Sequence, residues 1–359
     1  MPPLSPLVTR IVPPPIPAAH AWAQRYDGAR GPMLDLCQAV PGYAPHPDLL
    51  AHLADAAAQP SAAKYGLING DLALREAYAA DMAARYGGAV TPWFWNHQQT
   101  LEMLGIEARP LPCAADAGFT PDPEAAEALL DSRVRAIVLV TPNNPTGAVY
   151  LPDVIARFQA LCQRRGIWLI LDETYRDFLP AGQDRAHDAF TDAAWPETVI
   201  QLYSFSKAYC IPGHRLGAIT AGAALVQQFM KVLDCMHICP QRAGQAALTW
   251  AIGALPGWRA GNRAVINDRA GAMRAALQRL PDWRIESLGA YFAYVRHPFD
   301  GVDAPVVAET LAAEYGALCL PGTAFGPGQE RHLRLAFANT ETDAIGQIAD
   351  RLSGFRLAA

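Results

Sequence analysis

Three short runs of apolar residues, each stopping abruptly in polar side chains, constrain this chain more than any other feature. They are "VRAIVLVTPNNPTG" (134–147), "IWLILDETYRDF" (167–178) and "TVIQLYSFSK" (198–207). Near-continuous apolar strands belong to a parallel sheet covered on both faces, because neither face then meets water. Helical spacing separates them, as in Val154, Ile155, Phe158, Leu161 and Cys162. In such sheets ligands bind outside the carboxyl ends of the strands. The pattern therefore brings Asn144, Asp172, Tyr175, Ser204 and Lys207 to one edge, although they lie far apart in the chain.

The flanking sequence fills in the rest. Residues 71–86 place Leu72, Leu74, Tyr78, Met82 and Tyr86 at helical spacing before Gly87-Gly88, and further helices are expected near 222–235, 243–254 and 258–280. The last of these joins one domain to a second. After it, "WRIESLGAYFAYVRHPF" and "HLRLAFAN" alternate like strands of a smaller antiparallel sheet. With 359 residues the chain outgrows a single core. The expected division is a large α/β unit over 46–262, its mostly parallel sheet covered by helices on both faces, and a smaller α+β unit from 1–45 and 263–359 that carries an N-terminal arm.

Composition excludes several functions. Hydrophobic residues at 51% and charged residues at 18% describe a globular chain, and the net charge of −5 comes with no basic block for nucleic acid or an anionic membrane. No run approaches membrane-spanning length, and the prolines of "MPPLSPLVTRIVPPPIP" interrupt the apolar helix a signal peptide needs. That segment reads as an extended arm on a surface or partner subunit, or as a disordered tail. Seven scattered cysteines imply reduced thiols and a cytoplasmic protein. Cys235 and Cys239 flank His237, but no further spaced ligands accompany them, so the expectation is a buried helix face and no metal.

The chemistry collects around Lys207. An unpaired buried ammonium is costly, so such a lysine is solvated, paired or shifted toward the neutral, nucleophilic amine. A neutral lysine condenses with carbonyls, and pyridoxal phosphate is a carbonyl that uses one, with a carboxylate against its ring nitrogen. Asp172 suits that role; Ser204, Ser206 and Arg215 suit a phosphate; Asn144 and Tyr175 suit a phenolic oxygen. Each has an ordinary reading: Lys207 as a solvated loop residue, "NPTG" as a turn, Asp172 as a helix cap, Arg215 as a surface charge. The argument lies in their coincidence.

"TPNNPTG", "LDETYRDF" and "SFSKAYCIPGHRLG", in this order, resemble the class I/II aminotransferases of pyridoxal-phosphate fold type I, and the similarity covers nearly the whole chain. The resemblance implies that Lys207 forms the Schiff base, Asp172 pairs with the ring nitrogen, Asn144 and Tyr175 contact the phenolic oxygen, and Ser204 and Arg215 hold the phosphate. "LPGTAFGPGQERHLRLAFA" is similar to the family's final motif, making Arg334 the clamp for the substrate α-carboxylate, with Asn144 beside it. Tyr65, in "KYGLINGDLALREA", matches a residue that reaches the neighbouring subunit's phosphate, which implies a homodimer with shared sites. Phe94, in "PWFWNH", matches the aromatic that stacks on the cofactor.

Two departures accompany the resemblance. Thr91 runs straight into Pro92 where the family has a strand, a glycine-started helix and another strand; roughly thirty residues, about one β-α-β unit, are absent. That helix N-terminus would present N–H groups to the phosphate. Either the chain lacks the unit, which predicts weak or no cofactor binding, or the sequence omits it. Ala39 stands where the family often has glycine near the substrate carboxylate, its methyl narrowing the pocket. The expected activity is an aminotransferase acting on an amino acid and a 2-oxo acid. A β- or γ-eliminating lyase on the same scaffold, or a degenerate non-catalytic, ligand-sensing member, are the alternatives.

Overall fold

The computed structural model describes residues 14–86, 104 and 106–357. The expected gap at Thr91/Pro92 and the expected stacking residue Phe94 lie outside them, as does the arm up to residue 13.

Strand β1 (Leu34–Asp35) is short. The next four, β2 (Ala136–Val140), β3 (Trp168–Asp172), β4 (Val199–Ser204) and β5 (Gly217–Thr220), form one sheet in the order β2-β3-β4-β5. The first three are parallel, in a register that aligns Val140 with Asp172 and Asp172 with Leu202. All six residues of β4 are buried, as expected for a strand covered on both faces. Strand β5 is antiparallel to β4 and pairs Gly217 with Ser204. The sequence reading missed it, because four residues too short to show a period follow the Lys207 turn directly.

The helices include α1 (Pro15–Ala23), α2 (Pro47–Ala58), α3 (Leu72–Tyr86), α4 (Pro152–Arg165), α5 (Phe205–Ala208), α6 (Ala223–His237), α7 (Arg242–Ala254), α8 (Pro256–Gln278) and α9 (Ala304–Tyr315); α2 to α7 pack with this sheet, and α1, α8 and α9 with the second unit. The crossover α4 has Asp153 in its first turn, Arg164 and Arg165 in its last and left-handed Gly166 as its stop, each suited to its end of the helix dipole or cap. On one face Val226 and Leu233 of α6 pack on Ile200, Leu202 and Ile219. On the other, Tyr78 of α3 and Phe158 of α4 join Leu169, Leu171 and Tyr203 in the larger core.

A second sheet is antiparallel throughout, in the order β6 (Arg284–Gly289), β7 (Phe292–Arg296), β10 (His332–Ala336), β9 (Leu320–Pro321), while β8 (Ala317–Leu318) pairs in parallel with β1. Its core joins Phe292, Val295, Leu333 and Leu335 to Ile266, Met273 and Leu277 of α8 and Val307 and Leu311 of α9. The two sheets meet where Gly147, at φ +76°, abuts Gly289; a Cβ on Gly147 would lie 2.5 Å from the Gly289 backbone. No side chain fits at that crossing.

Two expectations are corrected. Residues 15–17 are not an extended arm: Pro15 opens α1, since the first turn of a helix has no use for the N–H that proline lacks. Cys235 is exposed and Cys239 half-buried, because the buried stripe of α6 runs through Val226 and Leu233 and turns Cys235 to the outside. Cys239 instead accepts a hydrogen bond from the Gly66 amide at 3.2 Å. No cluster of metal-ligating side chains occurs among the described residues.

Directly after β3 the chain enters a buried ionic lattice. Asp177 accepts from Arg85 (2.9 Å), Arg259 (3.2 Å) and the Tyr203 hydroxyl (2.7 Å), while Arg176 and Arg259 both reach Asp81, at 3.1 and 3.0 Å. Arg176 also lies 3.9 Å from the centre of the Tyr203 ring. Burial pushes the Asp177 pKa up, but Arg85, Arg259 and Arg176 together hold it below the ordinary carboxylate range. A carboxylate depressed in the fold stabilises fully above its unfolded pKa of about 3.9, and that contribution fades as pH falls toward the folded value. Asp177→Asn is expected to cost about 3 kcal/mol at pH 7, with the deficit shrinking below about pH 4, in urea melts across pH.

Candidate active site

Asp172 ends β3, and the turn after it fixes the carboxylate. The Thr174 amide and hydroxyl both donate to Asp172 Oδ1, at 3.0 and 2.7 Å. Strand β4 ends one step away at Ser204, whose Oγ accepts from the Ser206 amide at 3.2 Å and so caps α5. Lys207 is the third residue of that single turn. Its Nζ donates to the Ala39 carbonyl at 2.6 Å and stands 6.0 Å from the centre of the Tyr175 ring. Burial, and then the charges of Arg334 and Arg215, lower its pKa to about 8. A substantial share of this amine is therefore neutral near physiological pH.

Arg334 comes from the other sheet. It is the central residue of β10, paired across to Tyr294, and is buried. Nη1 donates to Asn144 Oδ1 at 3.0 Å and Nη2 to the Cys37 carbonyl, while Nε is buried without a partner. Burial pushes its pKa down from the ordinary guanidinium value. Tyr175 packs its ring edge-on against Tyr291 and Phe292, and burial raises its hydroxyl pKa. Lys207, Asn144, Tyr175, Arg334 and the backbone of Ala39 thus converge, with Asp172 at the adjoining strand end.

The remaining expected residues sit at its margins. Arg215 adopts φ +53°, is exposed, and donates to the Pro212 carbonyl at 2.9 Å, although its charge is felt at Lys207. Ser204 is buried. Tyr65 is 78% exposed, next to Gly66, which bonds to Cys239 just beyond the end of α6. The sequence reading missed Cys37, which acts through a backbone carbonyl and leaves no side-chain signal. It also missed Cys210, at φ +56°, whose Sγ donates to the Tyr43 carbonyl at 2.6 Å.

A lysine on the turn after a parallel strand, facing an arginine from an antiparallel sheet, defines an α/β fold of type I. The likeness to solved structures agrees: a Thermus thermophilus aspartate aminotransferase double mutant matches at TM-score 0.88 and 22% identity over 98% of this chain and 99% of that one. The apo structure of BacF from Bacillus subtilis matches at 0.89 and 20% over 99% of each. The chain belongs to the class I and II aminotransferase family, whose description matches residues 88–352. Among curated relatives, an arginine–pyruvate transaminase of Pseudomonas aeruginosa is 28% identical over 257 residues, 68% of this chain. An aspartate aminotransferase of Pyrococcus horikoshii is 27% identical over 260 residues, 69% of this chain. The matched stretch spans 62% and 65% of those two proteins, less than two thirds of either.

The depressed lysine gives a direct expectation. Reductive methylation of Lys207, followed by peptide mass spectrometry across pH, should rise with a midpoint near 8. Arg334→Gln should move the midpoint upward, since a neighbouring cation no longer opposes the ammonium. A midpoint near the ordinary lysine value of about 10.4 in the parent would show that Lys207 is solvated instead.

Proposed function

We propose that the chain is an amino-acid:2-oxo-acid aminotransferase that uses pyridoxal 5'-phosphate held on Lys207. The observation that carries this reading is the partly neutral Lys207 amine on the turn after β4, bonded to the Ala39 carbonyl and within the field of Arg334, with Asp172 ending the neighbouring strand. The donor set fits the group: an amine for its aldehyde, a fixed carboxylate for its ring nitrogen, an amide and a phenol for its phenolic oxygen, and Ser204, Ser206 and Arg215 for its phosphate. Arg215 must leave the Pro212 carbonyl to take part. When bound, the cofactor supplies an aldehyde that condenses with amines and a cationic ring that stores the electron pair released at the substrate α-carbon.

The chain's own residues supply the rest. Arg334 and Asn144 bind and orient the substrate α-carboxylate, a planar anion matched to a guanidinium fork. Lys207, as a neutral amine, takes the α-proton and delivers it to the carbon on the far side of the substrate nitrogen, a task suited to a lysine held near pKa 8. Asp172, one oxygen pinned by Thr174, keeps the ring nitrogen protonated. Tyr175 and Asn144 hold the ring's orientation. We assign the cofactor grip to the unit over 46–262 and the carboxylate grip to the unit formed by 1–45 and 263–359.

A second copy of the chain is part of this reading. Tyr65, Leu67, Leu72, Met236 and Ile238 are exposed, and the Gly66–Cys239 and Arg242–Ser61 hydrogen bonds tie their segments into one surface. Seven unbridged cysteines support a reducing compartment. Sedimentation equilibrium should give a dimer that Met236→Glu dissociates; a parent monomer at micromolar concentration counts against shared sites.

Lys207→Ala should abolish both turnover and the visible absorbance of protein mixed with cofactor; retention of either overturns the assignment. Product analysis on the parent then separates reactions from a common start. A 2-oxo acid with aminated cofactor supports transfer, whereas free ammonia supports an eliminating lyase.

A further inference from the structure

The geometry points to Phe325 as a positioning residue for Arg334, the ring that holds the guanidinium flat so that its edge faces a substrate carboxylate. This inference rests on the role of Arg334 proposed above. The Arg334 Cζ lies 5.1 Å from the centre of the Phe292 ring and 4.9 Å from that of Phe325. Two aromatic rings thus flank the guanidinium, and such contacts are attractive through the ring quadrupole. Hydrogen bonds to Asn144 and Cys37 use one N–H on each Nη. Nε–H and the second N–H on each Nη remain, and a planar carboxylate takes up a pair of such groups.

The two rings are held differently. Phe292 is fully buried in β7, paired with Ala336 in the sheet that also carries Arg334, and cannot shift without the sheet. Phe325 is half-buried in the turn Gly322–Phe325 that leads into Gly326-Pro327-Gly328. The base of that turn is fixed, since a Cβ on Gly322 would lie 2.5 Å from the Gln329 carbonyl oxygen and 2.8 Å from that of His332. Beyond the ring, Gly326 adopts φ +127° and ψ +175°, a conformation essentially restricted to glycine, with nothing near its missing Cβ. The Phe325 ring is thus carried between a tightly packed base at Gly322 and a glycine-only conformation at Gly326. A side chain there strains the turn without filling any space.

The test uses the cofactor-loaded protein and two probes, 3-phenylpropanoate and 3-phenylpropan-1-amine, with binding followed by calorimetry. Phe325→Leu is expected to weaken the carboxylate on the order of tenfold, and Phe325→Tyr to stay within about twofold of the parent. Gly326→Ala should weaken it as Phe325→Leu does, with the fold checked by thermal melts. The amine should bind all four proteins alike. In turnover, Phe325→Leu should raise KM with kcat nearly unchanged. Equal carboxylate affinity in the parent and Phe325→Leu overturns the positioning role and leaves the aminotransferase reading intact, as does equal weakening of both probes. A parent that binds no carboxylate overturns the role of Arg334 and this inference with it.

Discussion

Two cations in one site, Arg334 buried and Lys207 half-buried, set the terms for everything around them. Arg334 disfavours the charge on Lys207, and burial disfavours both. The fold answers with electron-rich neutral groups: the carbonyls of Ala39 and Cys37, the Asn144 amide oxygen and two ring faces. The two residues respond unequally. The guanidinium starts so far above neutrality that it stays charged, while the lysine falls to about 8. Burial, reinforced by that repulsion, leaves a charged guanidinium beside a partly neutral amine.

The stretch from Asp172 to Phe178 holds this arrangement in place by serving two environments. Asp172 and Tyr175 belong to the site, while Glu173, Arg176 and Asp177 are buried on the far side. Glu173 accepts from the Tyr86 hydroxyl at 2.6 Å and the Gln201 amide at 2.7 Å, with His187 Nε2 at 3.2 Å. Buried carboxylates are tolerated only when fully paired, so each fixes the backbone between its partners. The strand end is thus clamped from α3, β4 and α8 at once, and the Asp172 carboxylate sits on a segment with little freedom.

Much of this was legible in the sequence, for a physical reason. Strand runs that stop in polar residues are long-range statements, because a parallel register forces their ends to coincide; Asp172, Ser204 and Lys207 follow from that alone. Arg334 was legible from its motif and lies on the central position of β10. Other features leave no such trace. The Cys37 and Ala39 contacts are made by carbonyls that every residue carries. Cys235 looked buried because its neighbours are apolar, yet the helix turns it outward. Pro15 reads as a helix breaker and opens a helix, since proline's effect depends on position within the turn.

The position of the site between the two sheets follows from the backbone more than from side chains. Asn144 lies on the loop after β2, and its bond to Arg334 crosses from one sheet to the other. Three residues on, Gly147 meets Gly289 at a separation that admits no Cβ, so the same loop is docked onto the second sheet by main-chain contact. The Cys37–Ala39 segment is likewise anchored on both sides. The Leu36 amide donates to Leu318 and its carbonyl accepts from Ala336, while the Gly42 amide donates to Ala338. Groups placed by backbone approach are insensitive to side-chain substitution nearby. Structures sharing this fold at 20–22% identity can therefore keep the frame while the side chains mounted on it differ.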